Sequence, residues 1–317
     1  MIAARRRPHS ALPGWDRDDH AAARAAFFVT ADLLGPDWAA AAADTGGEAR
    51  AFFEKHFVPV EIGTPPALLT GYYEPELQGS LTATARFAWP LYALPAEHAP
   101  GMVGPSRAAI ELGGLLRGQE LVWLDSPVEA FLAQVQGSAR VRLEDGRLLR
   151  LGYAGRNGQP YRSIGQELIR RGEVSAEAMS AQTIRAWCAA HPGQAVELFW
   201  HNPSFVFFQL LDLPESSGPI GAMGRPVTPL RSLAVDSDHI PLGAPVWVET
   251  RTQSRLCIAQ DSGSAMHGPQ RGDLFCGSGA EAGEMAGRMK DAGRLALLLP
   301  PSLAERMAPG AGPGIVL

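Results

Sequence analysis

"RLCIAQDSGSAMHGPQRGDLF", residues 255–275, is the stretch on which the fold turns. Its first seven residues are β-prone and end on Asp261. A loop with Gly263, Gly268, Pro269 and Gly272 follows, carrying His267 and Arg271, and then Asp273 opens a second short apolar run, Leu274-Phe275. A β-run ending in a glycine-rich loop sets its last side chain at a rim. If the two runs pair, Asp261 and Asp273 reach one edge together. Like charges that close raise one pKa, and a cation at Arg271 or His267 lowers it. A carboxyl kept protonated near neutral pH is a general acid for a glycosidic oxygen. A solvated turn with capping aspartates explains the same spacing. The loop by itself leaves both readings open.

Outward from this loop, "PSFVFFQL", "RSLAVD" and "APVWVET" are further short β-prone runs bounded by Pro, Gly or Asp. Residues of about 16–56 are Ala-rich with helical spacing. Short strands are expected between about 81 and 160, including "AFLAQVQGSARVRLEDGRLLRLGYAG", with a hairpin at Asp145-Gly146. Ser163 and Gln166 form a capping box, with Gly172 as the helix stop. A second short helix is read in "SAQTIRAWCAAHP", and a last helix, "AEAGEMAGRMKDAG", precedes the strand "RLALLL" and a Pro/Gly tail. The fold class is therefore α+β and mostly β, with a β-barrel core.

The chain has 317 residues, enough for one large domain or two ordinary ones, and 46% hydrophobic against 19% charged residues excludes a disordered protein. A net charge of −5 argues against a nucleic-acid partner. Cys188, Cys257 and Cys276 have no short spacing, and neither CxxC nor HExxH occurs, so no metal and no cofactor is expected. The thiols read as buried small apolar groups. No apolar run reaches the roughly 18 residues of a membrane span. No apolar leader follows Arg5, Arg6 and Arg7, so no signal peptide is read.

Other candidates for chemistry are the carboxylates Glu74, Glu76, Asp236 and Asp238, and the bottom-up reading does not choose among them. Tyr72 and Tyr73 offer a sugar-stacking surface, with alternation placing one of the two in the core. Gln134 and Gln136 would share one strand face, where amides suit sugar hydroxyls or solvent alike. Ser163 reads first as a helix cap, with Tyr161 beside it.

The stretches "TGYYEPELQGS", "YAGRNGQPYRSIGQELIRRGEV", "NPSFVFF", "RSLAVDSDHIPLGAPVWVE" and "DSGSAMHGPQRGDLFCGSGAEAGEMAG" resemble the lytic murein transglycosylase A family, in family order over about residues 70–290. The C-terminal part resembles its "3D" module, whose three aspartates fall on Asp236, Asp261 and Asp273. The resemblance implies a double-psi β-barrel domain built from both chain ends (1–80 plus 200–317). It also implies a smaller inserted β-barrel domain (81–199) and a cleft between the two. It implies cleavage of the MurNAc-β-1,4-GlcNAc bond of peptidoglycan with a 1,6-anhydroMurNAc product. Asp273 would act alone, first as acid and then as base, with Asp261 tuning it. Substrate contacts would come from Tyr72, Tyr73, Gln136, Tyr161, Ser163, Asp236, His267 and Arg271. The partner is the glycan strand, met by a monomer in the periplasm or at the periplasmic face of a Gram-negative outer membrane. The loop departs from the family pattern Asp-x-Gly-Gly-Ala-Ile-Lys-Gly at Ser264, Met266 and His267. Two other readings stand beside this one: an inverting or retaining endoglycanase using Asp261 and Asp273, and a non-catalytic wall-binding module.

Overall fold

The computed structural model describes residues 4–99, 101–251 and 253–308. Its strands are β1 (Ala4–Arg6), β2 (Val58–Ile62), β3 (Ala67–Glu74), β4 (Glu76–Ser80), β5 (Trp89–Tyr92), β6 (Glu120–Leu124), β7 (Ser138–Leu143), β8 (Leu148–Arg156), β9 (Val206–Leu210), β10 (Ser232–Val235), β11 (Pro245–Thr250), β12 (Ser254–Asp261), β13 (Arg271–Ser278) and β14 (Lys290–Leu299). The chain divides into two compact units. The first comprises Met1–Tyr72, Ser217–Gly277 and Met289–Leu317, and the second Tyr73–Ser216 and Ser278–Arg288.

In the first unit the strand order is β1-β2-β14-β11-β12-β10-β13-β3, with β3 returning to pair with β14. Six strands therefore close on themselves, and closure removes the exposed edges that an open sheet must protect. Strand β14 makes this possible by changing partners along its length. Lys290–Gly293 face β3, while Gly293–Leu297 face β11. Helices α1 (His20–Phe28), α2 (Ala39–Ala43) and α3 (Ala49–His56) belong to this unit, as the Ala-rich spacing predicts. Phe27, Phe53, Phe57 and Trp15 join Trp247 of β11 in one buried cluster. Two buried glutamines satisfy backbone and hydroxyl groups inside the unit. Gln260 Nε2 donates to Ala26 O and Thr30 Oγ1, and its Oε1 accepts from Ser232 Oγ. Gln270 Nε2 donates to Ile62 O and Leu295 O, and its Oε1 accepts from Leu295 N.

In the second unit the order is β5-β6-β4-β7-β8-β9, and a bridge from Ala93 to Phe208 joins the two ends of this sheet. The expected hairpin turns at Gly146 (φ 86°), with Arg142 opposite Leu148. Helices α4 (Arg107–Gly113), α5 (Pro127–Gln136), α6 (Ile164–Arg170), α7 (Ala181–Ala190), α8 (Pro192–Trp200) and α9 (Gly279–Arg288) complete the unit. Ser163 Oγ accepts from Gln166 N at the start of α6, as its capping box predicts.

The strand expected across residues 130–136 is a helix instead. Ser126 caps α5 by accepting from Glu129 N, Pro127 stands in its first turn, and Gly137 ends it at φ 79°. These start and stop signals outweigh the apparent alternation of "FLAQVQ". Gln134 and Gln136 thus sit on a helix and share no strand face. Helix α8 begins at Pro192, without a side-chain cap, and α10 (Pro301–Met307) replaces part of the expected tail. The tail beyond residue 308 lies outside the described residues.

Buried arginines hold the second unit together. Arg107 donates to Asn202 O, Ser204 O and Gln134 Oε1, and its guanidinium lies 4.7 Å and 4.9 Å from the rings of Phe131 and Phe205. Burial pulls its pKa down to about 10, and the Glu111 carboxylate opposes that. Glu74 is 1% exposed and accepts from Arg140 Nε (2.7 Å), Arg150 Nη2 (3.1 Å) and Ser278 Oγ (2.8 Å). It is a structural anion, not a free carboxylate. Removing one partner of a buried charge cluster leaves the others uncompensated. Glu74→Ala is expected to cost about 3–5 kcal/mol, read as a lower urea midpoint, with the far-UV circular dichroism of the folded baseline unchanged.

Candidate active site

Strand β10 decides where the aspartates stand. β12 and β13, whose pairing the sequence left open, do not pair with each other, because β10 lies between them. Ala234 is opposite Asp261 across the parallel β10–β12 pair and opposite Asp273 across the antiparallel β10–β13 pair. The two aspartates are thus level and two strand spacings apart, about 9–10 Å at the backbone. Directly paired residues share a sheet face, so the Ala234 methyl is the floor between the two carboxyls. A bulge delivers this register. The β12 partner steps from Ala259 to Asp261 as β10 advances from Leu233 to Ala234. Gln260 is the extra residue, and its side chain turns inward to the buried bonds already described.

Alternation on β13 puts Arg271, Asp273 and Phe275 on one face, while Leu274 joins the core. On β3 it puts Thr70 and Tyr72 on one face, opposite the core residue Leu69. Those two hydroxyls serve the two aspartates. Thr70 Oγ1 donates to Asp273 Oδ1 at 2.6 Å, and Tyr72 Oη donates to Asp261 Oδ2 at 2.6 Å. The Tyr72 ring lies 5.3 Å from that of Phe275. Arg271 Nη2 donates to Thr70 Oγ1 at 2.7 Å.

The two carboxyls differ in their partners. Asp261 Oδ1 also accepts from Ala222 N and Ser262 N, both at 2.9 Å. The Ala222 bond requires Gly221 before it, because a Cβ there would fall 2.7 Å from Gln260 O. Burial raises the pKa of Asp261, and the donors from Tyr72, Ser262 and Ala222 oppose that rise. Asp273 is raised to about 6. Loss of solvent is the largest cause, the Asp261 charge adds to it, and the Thr70 bond and the Arg271 charge oppose it. Burial and then the Asp261 charge push the Tyr72 phenol well above its usual range, so Tyr72 stays a donor.

Asp236 takes a different position. Its Oδ2 accepts from Gly268 N at 2.6 Å and its Oδ1 from Asp238 N at 3.1 Å. The Gly268 bond chiefly holds its carboxyl below the usual range. Asp236 therefore clamps the 262–270 loop, helped by Ser262 Oγ donating to Val235 O. His267 is exposed on that loop.

The remaining sequence candidates lie in the second unit. Tyr73 is buried; its N–H donates to Gln136 Oε1 at 3.1 Å, and its Oη accepts from Arg185. Tyr161 is partly buried, and its phenol is raised by desolvation, with Ser163 opposing. All three cysteines are free and buried. Cys276, close enough to feel the Asp273 charge, is pushed up to about 12 mainly by burial, which makes it a poor nucleophile.

The sequence reading did not single out Thr70, Ala222 or Ala234. Thr70 had a visible signal, since it lies two residues before Tyr72 in a strand. Ala222 and Ala234 act through backbone and bulk, which leave no chemical mark in a sequence.

Comparison with known proteins agrees with this fold. Residues 68–209 match the family model described as the MltA specific insert domain, and residues 231–299 match that of the 3D domain. Membrane-bound lytic murein transglycosylase A of Escherichia coli K12 is 39% identical over 257 residues, which is 77% of this chain and 66% of that protein. The chain thus spans a little under two thirds of that curated relative. The crystal structure of a membrane-bound lytic murein transglycosylase from Agrobacterium tumefaciens superposes with a TM-score of 0.86 at 33% identity, covering 96% of this chain and 99% of the other. E. coli MltA with bound chitohexaose gives 0.76 at 31% identity, covering 93% and 91%. The chain belongs to the lytic murein transglycosylase A family.

Proposed function

We propose that this chain is a peptidoglycan lytic transglycosylase in which Asp273 is the catalytic acid and then the base. The observation that carries the reading is the difference between the two carboxyls. Asp273 has a proton affinity raised to about 6 and, among the described residues, a single hydrogen-bond partner, on Oδ1. Asp261 already accepts from three donors. A group poised near the working pH suits proton transfer in both directions. A carboxylate whose two oxygens are both engaged suits an electrostatic neighbour better than a water-activating base or a nucleophile.

The chemistry then balances without water. Protonated Asp273 gives its proton to the glycosidic oxygen as the C1–O4 bond breaks and N-acetylglucosamine departs. Positive charge develops at C1 of the muramic sugar, where the Asp261 carboxylate offsets it. The Asp273 carboxylate next takes the proton of the C6 hydroxyl as O6 bonds to C1, closing the 1,6-anhydro ring and restoring the acid. An internal nucleophile has a high effective molarity, so no second catalytic base is needed. The E. coli relative was crystallised with chitohexaose, a β-1,4-linked N-acetylhexosamine oligomer. We extend that glycan class to this chain, together with roles for Tyr73, Gln136, Tyr161 and Ser163 in binding it. No helix among the described residues is long and apolar enough to cross a membrane. The substrate itself places the activity in the cell envelope.

Two outcomes test the reading. On purified sacculi, wild type is expected to release muropeptides with 1,6-anhydro ends, and Asp273→Asn to lower that rate by about 10²–10⁴-fold with glycan pull-down retained. Products one water heavier by mass spectrometry would move the assignment to an endoglycanase. Activity should fall as pH rises through about 6, where the acid ionises.

The same shift has a consequence for stability. Asp273 binds its proton more tightly in the folded protein than in the unfolded chain. Its ionisation therefore costs stability above about pH 6, and nothing once both states are protonated below the ordinary carboxylate range. Asp273→Asn is expected to raise Tm near pH 8 and leave it unchanged near pH 3. An equal Tm for the two proteins near pH 8 would contradict the assigned pKa.

A further inference from the structure

We propose that Thr70 is a positioning residue, a one-way hydrogen-bond donor oriented by Arg271, that keeps the acid proton of Asp273 on Oδ2. The inference rests on the reading of Asp273 as the acid, and it adds which oxygen does the work and what fixes it.

A guanidinium only donates. In the bond from Arg271 Nη2 to Thr70 Oγ1, the threonine oxygen is therefore the acceptor. An oxygen already polarised by a cation is a better donor and a poorer second acceptor. Its one proton points along the 2.6 Å contact to Asp273 Oδ1, a length typical of a hydroxyl donating to a charged oxygen. A proton on Oδ1 would meet the Thr70 proton head-on, so the acid proton belongs to Oδ2. No hydrogen-bond partner holds Oδ2 among the described residues. Arg271 is itself fixed, with Nη1 donating to Gly272 O and to Leu68 O. The cation thus reaches the carboxyl through the hydroxyl and leaves the working oxygen uncovered. Strand geometry explains the arrangement. Arg271 and Asp273 are two apart on one face of β13, and Thr70 meets both from β3, the neighbouring strand. The donor to the ionised form also works against desolvation, in line with the opposing effect of Thr70 on the Asp273 pKa.

The test compares Thr70→Val, which keeps the shape and loses the hydroxyl, with Thr70→Ser, which keeps the hydroxyl. Two readouts are needed. One is a ¹³C NMR titration of carboxyl-labelled aspartate in the resting protein, which requires no substrate. The other is kcat and KM against pH on purified glycan strands. Thr70→Val is expected to move the Asp273 titration and the alkaline limb of kcat to higher pH. It should lower kcat by about 10–100-fold, with a small change in KM. Thr70→Ser should restore most of both. Arg271→Met, which frees Thr70 from its cation, should move the titration the same way. A Thr70→Val titration that overlays wild type, or a loss confined to KM, overturns the proposal. The two levels fail separately. If the titrations shift as expected while wild type releases no anhydro ends, the hydrogen-bond assignment stands and the proposed activity falls. If wild type releases anhydro ends and Thr70→Val matches it in titration and turnover, the assignment falls and the activity stands.

Discussion

The placement of β10 between β12 and β13 is the constraint on which the site depends. It sets Asp261 and Asp273 on either side of one alanine, level with each other and two strand spacings apart. At that separation the pair interacts through space without sharing a proton, as two carboxyls in direct contact would. Asp261 raises the proton affinity of Asp273, yet burial contributes more. A residue larger than alanine at position 234 would fill the space between the carboxyls. Val235 and Leu233 on either side of it face the core and hold the strand in place.

The hydrogen bonds around this floor follow a division of labour. Asp261 and Asp236 are both acceptors of backbone N–H groups, and each ties a loop to the barrel: Ala222 in one case, Gly268 in the other. Within the core, Gln260 and Gln270 donate to backbone carbonyls, and Gln270 also accepts from Leu295 N. Such bonds contribute modestly to net stability but are costly to leave unmade. Their effect is to make the register of the barrel, and with it the level of Asp261, hard to shift. Asp273 stands apart, with a hydroxyl partner and, among the described residues, no backbone N–H donor. The side chain proposed to change protonation is the one least fixed by the backbone.

Much of this was legible in the sequence, and the parts that were not share a physical reason. The hairpin at Asp145-Gly146, the Ser163 capping box and the β-prone runs that became β9 to β12 are local signals, and local chemistry dictates them. The α5 helix was also signalled locally, by Ser126-Pro127 and Gly137, but an accidental alternation of apolar residues masked it. Strand order is a different matter. Nothing in residues 255–275 says that residues 232–235 lie between the two aspartates, since that pairing is set by closure of the whole barrel. The bulge at Gln260 is likewise invisible, because it is defined by a partner far away in sequence. The loop spacing identified Asp261 and Asp273 as a pair of interest, while the hydroxyls of Thr70 and Tyr72 that distinguish them come from a strand about 190–200 residues earlier.

The departure of the loop from the family pattern can be weighed in the same terms. His267 stands where the pattern has lysine, and a titrating cation close to Asp273 would tie the site to histidine's protonation. His267 is exposed on the loop beside Gly268, where its charge bears on Asp236, and it does not figure among the charges that act on Asp273. The cation that does is Arg271, a group that stays charged throughout the working range. It is held through Thr70 and by the carbonyls of Gly272 and Leu68. A fixed charge acting through a hydroxyl ties the Asp273 proton affinity to strands β3 and β13 of the barrel.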